Sequence, residues 1–463
     1  MAWALVALGA AVQLWLGSAV GLGDDEALYW VWSRHPGRLT VDHPPLVAWL
    51  IAGGRLLLGD GSLAVRAPFV GLGVVTSGVL GAWTRSATGS AEAGSVAMLV
   101  VAVAPLFAIG HVFAAPDMPL WCATAVVGFA LDRALFADRT AAWAVAGLAV
   151  GFGLWAKLTM ALVPVSVLGF MLLTPKLRRR LGTPGPWVAA GLALAVWSPW
   201  LVQQHGSGWP TLRFHLVERH GEAPGLAGLA AMAGGQLGYV SPLLAVLLLV
   251  SLVRHPGWSL RSHGLPAALA IPPIAFFTMS GVWTHALPHW SGGGWLAAVV
   301  PGTLVLLARP RVGRWAVGLA ASLSVIVHVQ AWVPVLPLGP ADPTHDLHGW
   351  RALGSVLGRL ASSADAQGCL PALRGTRYQT ASQAAHALGW AGPEVHPLAR
   401  PLGHDVGTIR DPPERCGDTL VVASDRFPLH GAECPVSAEV PVVRGAAVVR
   451  TLRIHRCPVG WID

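Results

Sequence analysis

Three consecutive carboxylates, Asp24, Asp25 and Glu26, interrupt a long, almost uncharged N-terminal stretch in the segment GLGDDEALYW. A further acid, Asp117, stands between Pro116 and Met118-Pro119 in the short connection APDMPLW. Carboxylates brought together at one site suit acid/base work: one takes a proton from an incoming hydroxyl while another orients it or stabilises developing positive charge. Two blander readings stand beside this one. The acidic run can be solvated loop residues, and Asp117 can cap a helix by accepting backbone N–H bonds. Lys157 is one of only two lysines in the chain and sits in LWAKLT between two apolar runs. Its ammonium is either a snorkelling anchor or a point charge for a phosphate at a membrane surface. Arg213, His215 and His205 in QQHGSGWPTLRFHLVERHG add cations or proton donors, and arginine can fork onto phosphate oxygens. Asp42 and His43, just before Pro44-Pro45, complete the candidates.

The elements that carry these residues are set by composition. The 463 residues are 54% hydrophobic and only 12% charged, which places the chain among membrane proteins. Eleven apolar runs are read as spans, at 2–21, 62–83, 93–113, 118–136, 141–156, 158–174, 186–202, 234–253, 265–282, 290–308 and 314–334. The segment 46–59 is too short to span and reads as an interfacial helix. Ten tryptophans (Trp30, Trp32, Trp49, Trp83, Trp197, Trp200, Trp209, Trp283, Trp290 and Trp332) fall near run ends, where an indole suits the headgroup layer. The apolar start with no basic residue before Arg34 reads as a retained first helix, since a cleaved leader carries a basic region first.

After residue 334 there are 12 Arg and no Lys against 12 acidic residues, so the whole net charge of +8 belongs to the membrane part. That distribution gives no support to a nucleic-acid partner. With the N-terminus inside, the inner connections carry 12 basic and 3 acidic residues and the outer ones 7 basic and 8 acidic, a positive-inside bias. The odd number of spans then puts the active-site loops and the C-terminal domain on the extracytoplasmic side of the cytoplasmic membrane. The expected division is a membrane domain at 1–334, with its first outer loop at 22–61, and a soluble domain at 335–463. The latter combines helical stretches at 350–364 and 380–389 with β-branched runs at 419–423, 440–445 and 447–456, so the fold class is all-α polytopic with a small C-terminal α/β domain. Cys369, Cys416, Cys434 and Cys457 all fall in that domain, where two disulfides are expected with pairing left open.

Other motifs are weaker. His285 and His289 have a helical metal-ligand spacing, but Pro288 between them argues against a continuous helix and hence against zinc. Gly147 and Gly151 form a small-xxx-small pattern that reads as helix packing. No phosphate-binding glycine loop, GxSxG or CxxC pair is present. Clustered carboxylates can take a hard divalent cation, and no cofactor is otherwise implied.

The segments GDDEALYWVWSRHPGRLTVDHPPLVAWL, APDMPLW, LWAKLT, QHGSGWPTLRFHL and TRYQTASQAAHALG together resemble the GT-C superfamily of membrane glycosyltransferases, in the bacterial branch related to protein mannosyltransferases and lipid A aminoarabinose transferases. The resemblance covers nearly the whole chain. It implies an inverting transfer of a sugar from a polyprenyl-phosphate carrier to a lipid, glycan or protein acceptor, on the outer face of the membrane. It also implies that Asp25 with Glu26 corresponds to the acidic motif of the first outer loop, Asp117 to the second aspartate, His43 to a basic position after that loop and Lys157 to the lysine between the fifth and sixth spans. Asp24 is an extra acid, so the base is Asp24 or Asp25. The assignment that follows gives the base to Asp25, orientation to Glu26 or Asp117, and the donor phosphate to Lys157 with Arg213, His43 or His205. His285 and His289-Trp290-Ser291 depart from the usual Lys and Asn-Trp-Pro of such chains. The competing reading is a transporter or flippase of lipid-linked sugars, opposed by acids placed in loops instead of mid-span. A polysaccharide polymerase would share the carrier but not these motifs.

Overall fold

Apolar runs punctuated by Gly, Pro and Ser become the helices of the membrane part. The computed structural model describes all residues except 38, 219–223, 254–256, 340–341, 363–370, 390–394, 399–417, 431–433 and 459–463. In chain order the helices are α1 (Ala2–Ala19), α2 (Asp24–Ser33), α3 (Leu46–Leu58), α4 (Ser62–Thr88), α5 (Ala91–Val103), α6 (Pro105–Gly110), α7 (Asp117–Phe136), α8 (Ala141–Ala156), α9 (Leu162–Leu173), α10 (Pro175–Arg178), α11 (Pro184–Gly206), α12 (Pro210–Arg213), α13 (Gly225–Val240), α14 (Pro242–Leu252), α15 (Leu265–Ser280), α16 (Gly292–Ala308) and α17 (Pro310–Trp332).

Each of the eleven apolar runs carries a helix, but they are not eleven straight spans. Six helices of the described residues are long and apolar enough to cross a bilayer, and eight if each of two bent pairs is one span. The run at 234–253 is a broken helix: α13 and α14 meet at 102° around Ser241, which takes φ 82° ahead of Pro242. A left-handed residue followed by a residue without an N–H cannot carry the helical ladder through. Residues 158–173 likewise turn by 108° into 175–182. The run at 93–113 is interrupted between α5 and α6 by Pro105. The short helix at 46–58 ends in exposed Leu56, Leu57 and Leu58, as an interfacial helix should. The tryptophans divide differently from expectation. Trp49, Trp283 and Trp332 are exposed, whereas Trp30, Trp83 and Trp200 are fully enclosed and belong to the core.

Small residues set one close helix crossing. A Cβ on Gly147 would run into the backbone of Ala189, and one on Gly151 into Val196, so α8 lies directly on α11. Gly147→Val should lower the stability of the purified protein by about 1–3 kcal/mol through overpacking, read as a fall in the thermal midpoint, with Gly191→Val on an open face of α11 as the silent comparison.

The C-terminal region builds a five-stranded sheet in the order β2-β1-β3-β5-β4, from β1 (Ala372–Gly375), β2 (Val395–Pro397), β3 (Thr419–Ser424), β4 (Val436–Arg444) and β5 (Ala447–Cys457). β1 runs parallel to β2 and β3, while β3, β5 and β4 are antiparallel. The three strands expected from β-branched runs are present; β1 and β2 were not expected. Every residue of β3 is buried, as a central strand requires. Two helices, α18 (Trp350–Ala361) and α19 (Tyr378–Leu388), pack on each other, and α19 also packs on α2. Cys434 and Cys457 form a disulfide. Cys369 and Cys416 lie outside the described residues.

Candidate active site

The acidic run does not sit in a loop: it is the first turn of a helix. Gly23 caps α2, and Asp24, Asp25 and Glu26 occupy the positions where carboxylates complement the positive end of the helix dipole. Successive helical residues point about 100° apart, so the three acids part company. Their fates differ completely.

Glu26 points inward and is 2% exposed. Its carboxylate takes Arg66 Nε at 2.8 Å and Nη2 at 2.5 Å, and accepts from the backbone N–H groups of Gly23 at 2.8 Å and Ala114 at 3.0 Å. Arg66 also donates to the carbonyls of Gly17, Val20 and Gly21. One buried pair thereby ties α1, α2, α4 and the approach to α7. This corrects the expectation that Glu26 orients an acceptor: its acceptor capacity is already committed to holding α2 in place.

Asp24 turns toward the C-terminal region. It accepts from Gln383 Nε2 at 3.2 Å and lies 3.9 Å from Arg426. Burial foremost, then the neighbouring Asp346, lifts its carboxyl to about 6; Gln383 and Arg450 pull the other way and Asp25 adds a smaller push upward. Because the folded chain holds this proton more tightly than the unfolded one, stability falls as pH rises from about 4 to about 6. Asp24→Asn is therefore expected to be more stable than wild type at pH 7.5 by up to about 2 kcal/mol, the advantage vanishing near pH 4. Thermal midpoints of the two proteins across that range check it; equal midpoints at every pH would rule it out. The difference between proteins is the proper readout, since half-buried His386, held down to about 4 by desolvation, destabilises in the acid direction over much of the same range.

Asp25 is the exposed member of the run. Tyr378, the first residue of α19, donates its hydroxyl to Asp25 Oδ1 at 3.2 Å. Beside it Gln383 donates to the Leu22 carbonyl at 2.8 Å, so α19 grips the start of α2 at two points. Tyr29 lies one turn on, buried, and its phenol is driven well up by burial and then by Asp25, Asp42 and Asp117. Those three carboxylates thus share one neighbourhood around a single ring. Tyr378 is pushed up in the same manner, by burial, by Asp25, and then by Asp24 and Asp42.

The wall opposite comes from the loop after α2 and from the segment after α11. The His43 ring stands 6.2 Å from Tyr29 and 6.1 Å from His215. His215, on a π-helical turn at Phe214–Glu218, meets the Asp42 backbone carbonyl at 2.7 Å through Nε2. Thr211 is held by Gln204 and reaches the Thr40 carbonyl at 3.3 Å, which pins that segment to the loop. Arg213 is exposed on the same segment. His205 sits apart: it is exposed, packs its ring on Trp209 and joins none of the contacts that link the carboxylates.

Asp117 is the first residue of α7, one past the cap, and its side chain caps nothing. Both of its oxygens instead take Lys157 Nζ at 2.9 Å, in a pair where both side chains are buried. Lys157 breaks α8 by adopting an extended backbone, which turns its side chain inward, and its ammonium lies 5.0 Å from the Trp290 ring. His289 approaches Asp117 to 3.9 Å and stacks on Tyr239. The ammonium expected to hold a phosphate is thus neutralised by the second aspartate, because an unpaired charge in so enclosed a place costs several kcal/mol.

Residues not foreseen as participants are Arg66, Tyr29, Tyr378, Gln383 and Tyr239. A signal for the tyrosines was present. The chain has three, Tyr29, Tyr239 and Tyr378, and all three gather here. Among the described residues no three His, Cys, Asp or Glu side chains converge as metal ligands.

Residues 42–202 match the family of dolichyl-phosphate-mannose-protein mannosyltransferases. Two curated relatives are similar to parts of the chain. The undecaprenyl phosphate-alpha-4-amino-4-deoxy-L-arabinose arabinosyl transferase of Pseudomonas paraeruginosa is 30% identical over 285 residues, 57% of this chain and 49% of that one. A Pseudomonas fluorescens protein of the same description is 29% identical over 248 residues, 50% of this chain and 44% of that one. The chain spans about half the length of the curated relatives it matches. The crystal structure of ArnT from Cupriavidus metallidurans bound to undecaprenyl phosphate superposes with a TM-score of 0.67 at 16% identity, covering 99% of this chain and 98% of that one. Its apo form gives 0.66. The chain therefore has the ArnT fold: a multi-pass helical membrane part with a small C-terminal sheet domain. The matches support its likeness to GT-C glycosyltransferases related to the aminoarabinose transferases.

Proposed function

We propose that this protein is an inverting membrane glycosyltransferase that moves a sugar from a polyprenyl-phosphate carrier to a lipid, glycan or protein acceptor. The observation that carries the reading is the exposed Asp25 facing a cluster of Asp42, Tyr29 and Tyr378 on a fold whose solved relative is bound to undecaprenyl phosphate. Asp25 takes the proton of the acceptor hydroxyl. The acceptor oxygen attacks the anomeric carbon from the side away from the phosphate, the bond from that carbon to the phosphate oxygen breaks, and polyprenyl phosphate departs with the electron pair. No nucleotide is needed because the phosphate already makes a good leaving group.

The cationic side of the site is assigned to His43 and His215, which stand on the Tyr29 side, with Arg213, exposed on the segment that carries His215. Lys157 remains a candidate for the phosphate only if Asp117 releases it; in the paired form, Lys157 and Asp117 hold the ends of α8 and α7 together. His205 is a weaker candidate because its ring packs on Trp209 and joins none of the contacts that link the carboxylates. We place the site and the sheet domain outside the cytoplasmic membrane, on the 12-to-3 excess of basic over acidic residues in the connections at the other end of the bundle. The division into a membrane domain at 1–334 and a soluble one at 335–463 belongs to the same reading, with α19 serving as a lid that contacts the base.

The deciding experiment supplies proteoliposomes with radiolabelled undecaprenyl-phosphate sugars, beginning with the amino-pentose of the relatives' names, and follows label into added membranes and polyprenyl phosphate release. Transfer with stoichiometric release is the outcome expected. Movement of intact labelled donor between leaflets with no release would replace the enzyme by a flippase. Within a transferring preparation, Tyr378→Phe should lower kcat by about tenfold with little change in KM, since it removes one hydrogen bond to the base and leaves the ring in place. A change confined to KM would instead assign Tyr378 to binding.

A further inference from the structure

The end of the bundle away from Asp25 holds a cavity that the transfer reaction does not use. Its volume is about 730 Å³, and it lies between the start of α1, the last turns of α4, the first turns of α5 and the final third of α7. Gly78, Gly81 and Gly94 line it, and they let Trp3, Met98 and the backbones of α4 and α5 close in around it. From Asp117 to Arg133, along α7, is about 24 Å at 1.5 Å per residue, close to the thickness of a bilayer core. The cavity thus opens at the headgroup level of the leaflet opposite the candidate active site.

Its charges are unbalanced. Asp132, next in the chain to Arg133 and outside the lining, is fully buried and already forked by Arg261, at 2.7 Å to Oδ1 and 2.9 Å to Oδ2. Ser86 gives that carboxylate its hydroxyl at 2.6 Å. Arg133, on the cavity wall, has only the Ser86 hydroxyl at 3.3 Å. Arg85, also lining it, is exposed, and its guanidinium makes no hydrogen bond or ion pair with any described residue. Two arginines therefore line one space, and no carboxylate is among its lining residues. Trp3, Met98 and Phe129 give the wall an apolar flank. A charged end with an apolar flank fits an amphipathic anion better than a soluble one, and the fork of arginine matches phosphate oxygens.

We propose that this cavity binds an anionic phospholipid of the opposite leaflet, its phosphate on Arg85 and Arg133 and the start of an acyl chain along Met98 and Phe129. The site is independent of the sugar-transfer reading and survives its failure.

The test is native mass spectrometry of the full chain released from nanodiscs of equal phosphatidylglycerol and phosphatidylcholine. Wild type should retain one phosphatidylglycerol in preference to phosphatidylcholine. Arg85→Gln and Arg133→Gln should each weaken that retention about fivefold, the worth of one arginine at an anionic headgroup, whereas Arg311→Gln elsewhere on the same end should not. Ala82→Trp fills the cavity without altering its charge and should expel the lipid as well, which keeps the test sound if an arginine variant misfolds. Equal retention of the two lipids, undiminished retention in the arginine variants, or lipid still bound in Ala82→Trp would overturn the proposal. Arg85-dependent binding of sn-glycerol 3-phosphate without lipid retention would reassign the cavity to a soluble phosphate ester and overturn the lipid as occupant.

Discussion

Asp25→Asn should lower sugar transfer by about 10²- to 10⁴-fold at unchanged expression and thermal midpoint, the usual worth of a positioned general base. Asparagine keeps the shape of the side chain and can still accept the Tyr378 hydroxyl, so α2 and α19 stay together. What it cannot do is take a proton. The loss should therefore fall on kcat and kcat/KM alike, with donor binding preserved. Asp24→Asn is the matched comparison one residue away: its side chain is turned to Gln383 and Arg426, so transfer should persist. Equal transfer by wild type and Asp25→Asn would remove the base assignment, and loss in Asp24→Asn alone would move it by one position.

Arg66→Ala should cost about 3–5 kcal/mol of stability, the cost of stranding a buried charge by deleting its partner. The variant leaves Glu26 enclosed with only the Gly23 and Ala114 N–H groups to hold its charge, and deprives the Gly17, Val20 and Gly21 carbonyls of a donor. Thermal unfolding in detergent reads the effect directly. Glu26→Leu combined with Arg66→Met should recover part of the loss, because an apolar pair avoids the desolvation that an unpaired ion suffers. Recovery stays partial since the three carbonyls remain unserved. A double variant no better than Arg66→Ala would show that the carbonyl contacts, not the ion pair, dominate.

The pair also explains why a charged residue stands inside the apolar run at 62–83. Arg66 is the exception that a hydropathy reading passes over, and an ionisable group within a span is a functional or structural signal in its own right. The three tyrosines carried a similar signal through scarcity. Neither tells which partner the group will find. Asp117 and Lys157 are 40 residues apart, and Tyr378 and Asp25 are 353 apart, so each pair meets only through the packing of whole elements.

Membrane class, the short interfacial helix, the three antiparallel strands and the clustering of acids near one end of the apolar runs all follow from run length, alternation and charge balance. Those properties are local: transfer of each segment from water depends on its own side chains. The bend at Ser241, the burial of Trp30, Trp83 and Trp200, the inward turn of Glu26 against the outward turn of Asp25, and the neutralisation of Lys157 are of another kind. Each depends on the azimuth at which a helix is pinned, and that azimuth is chosen by contacts from distant segments. A 100° step along α2 separates a structural carboxylate from an exposed one, and only the packing of α1, α4 and α19 against it determines which is which.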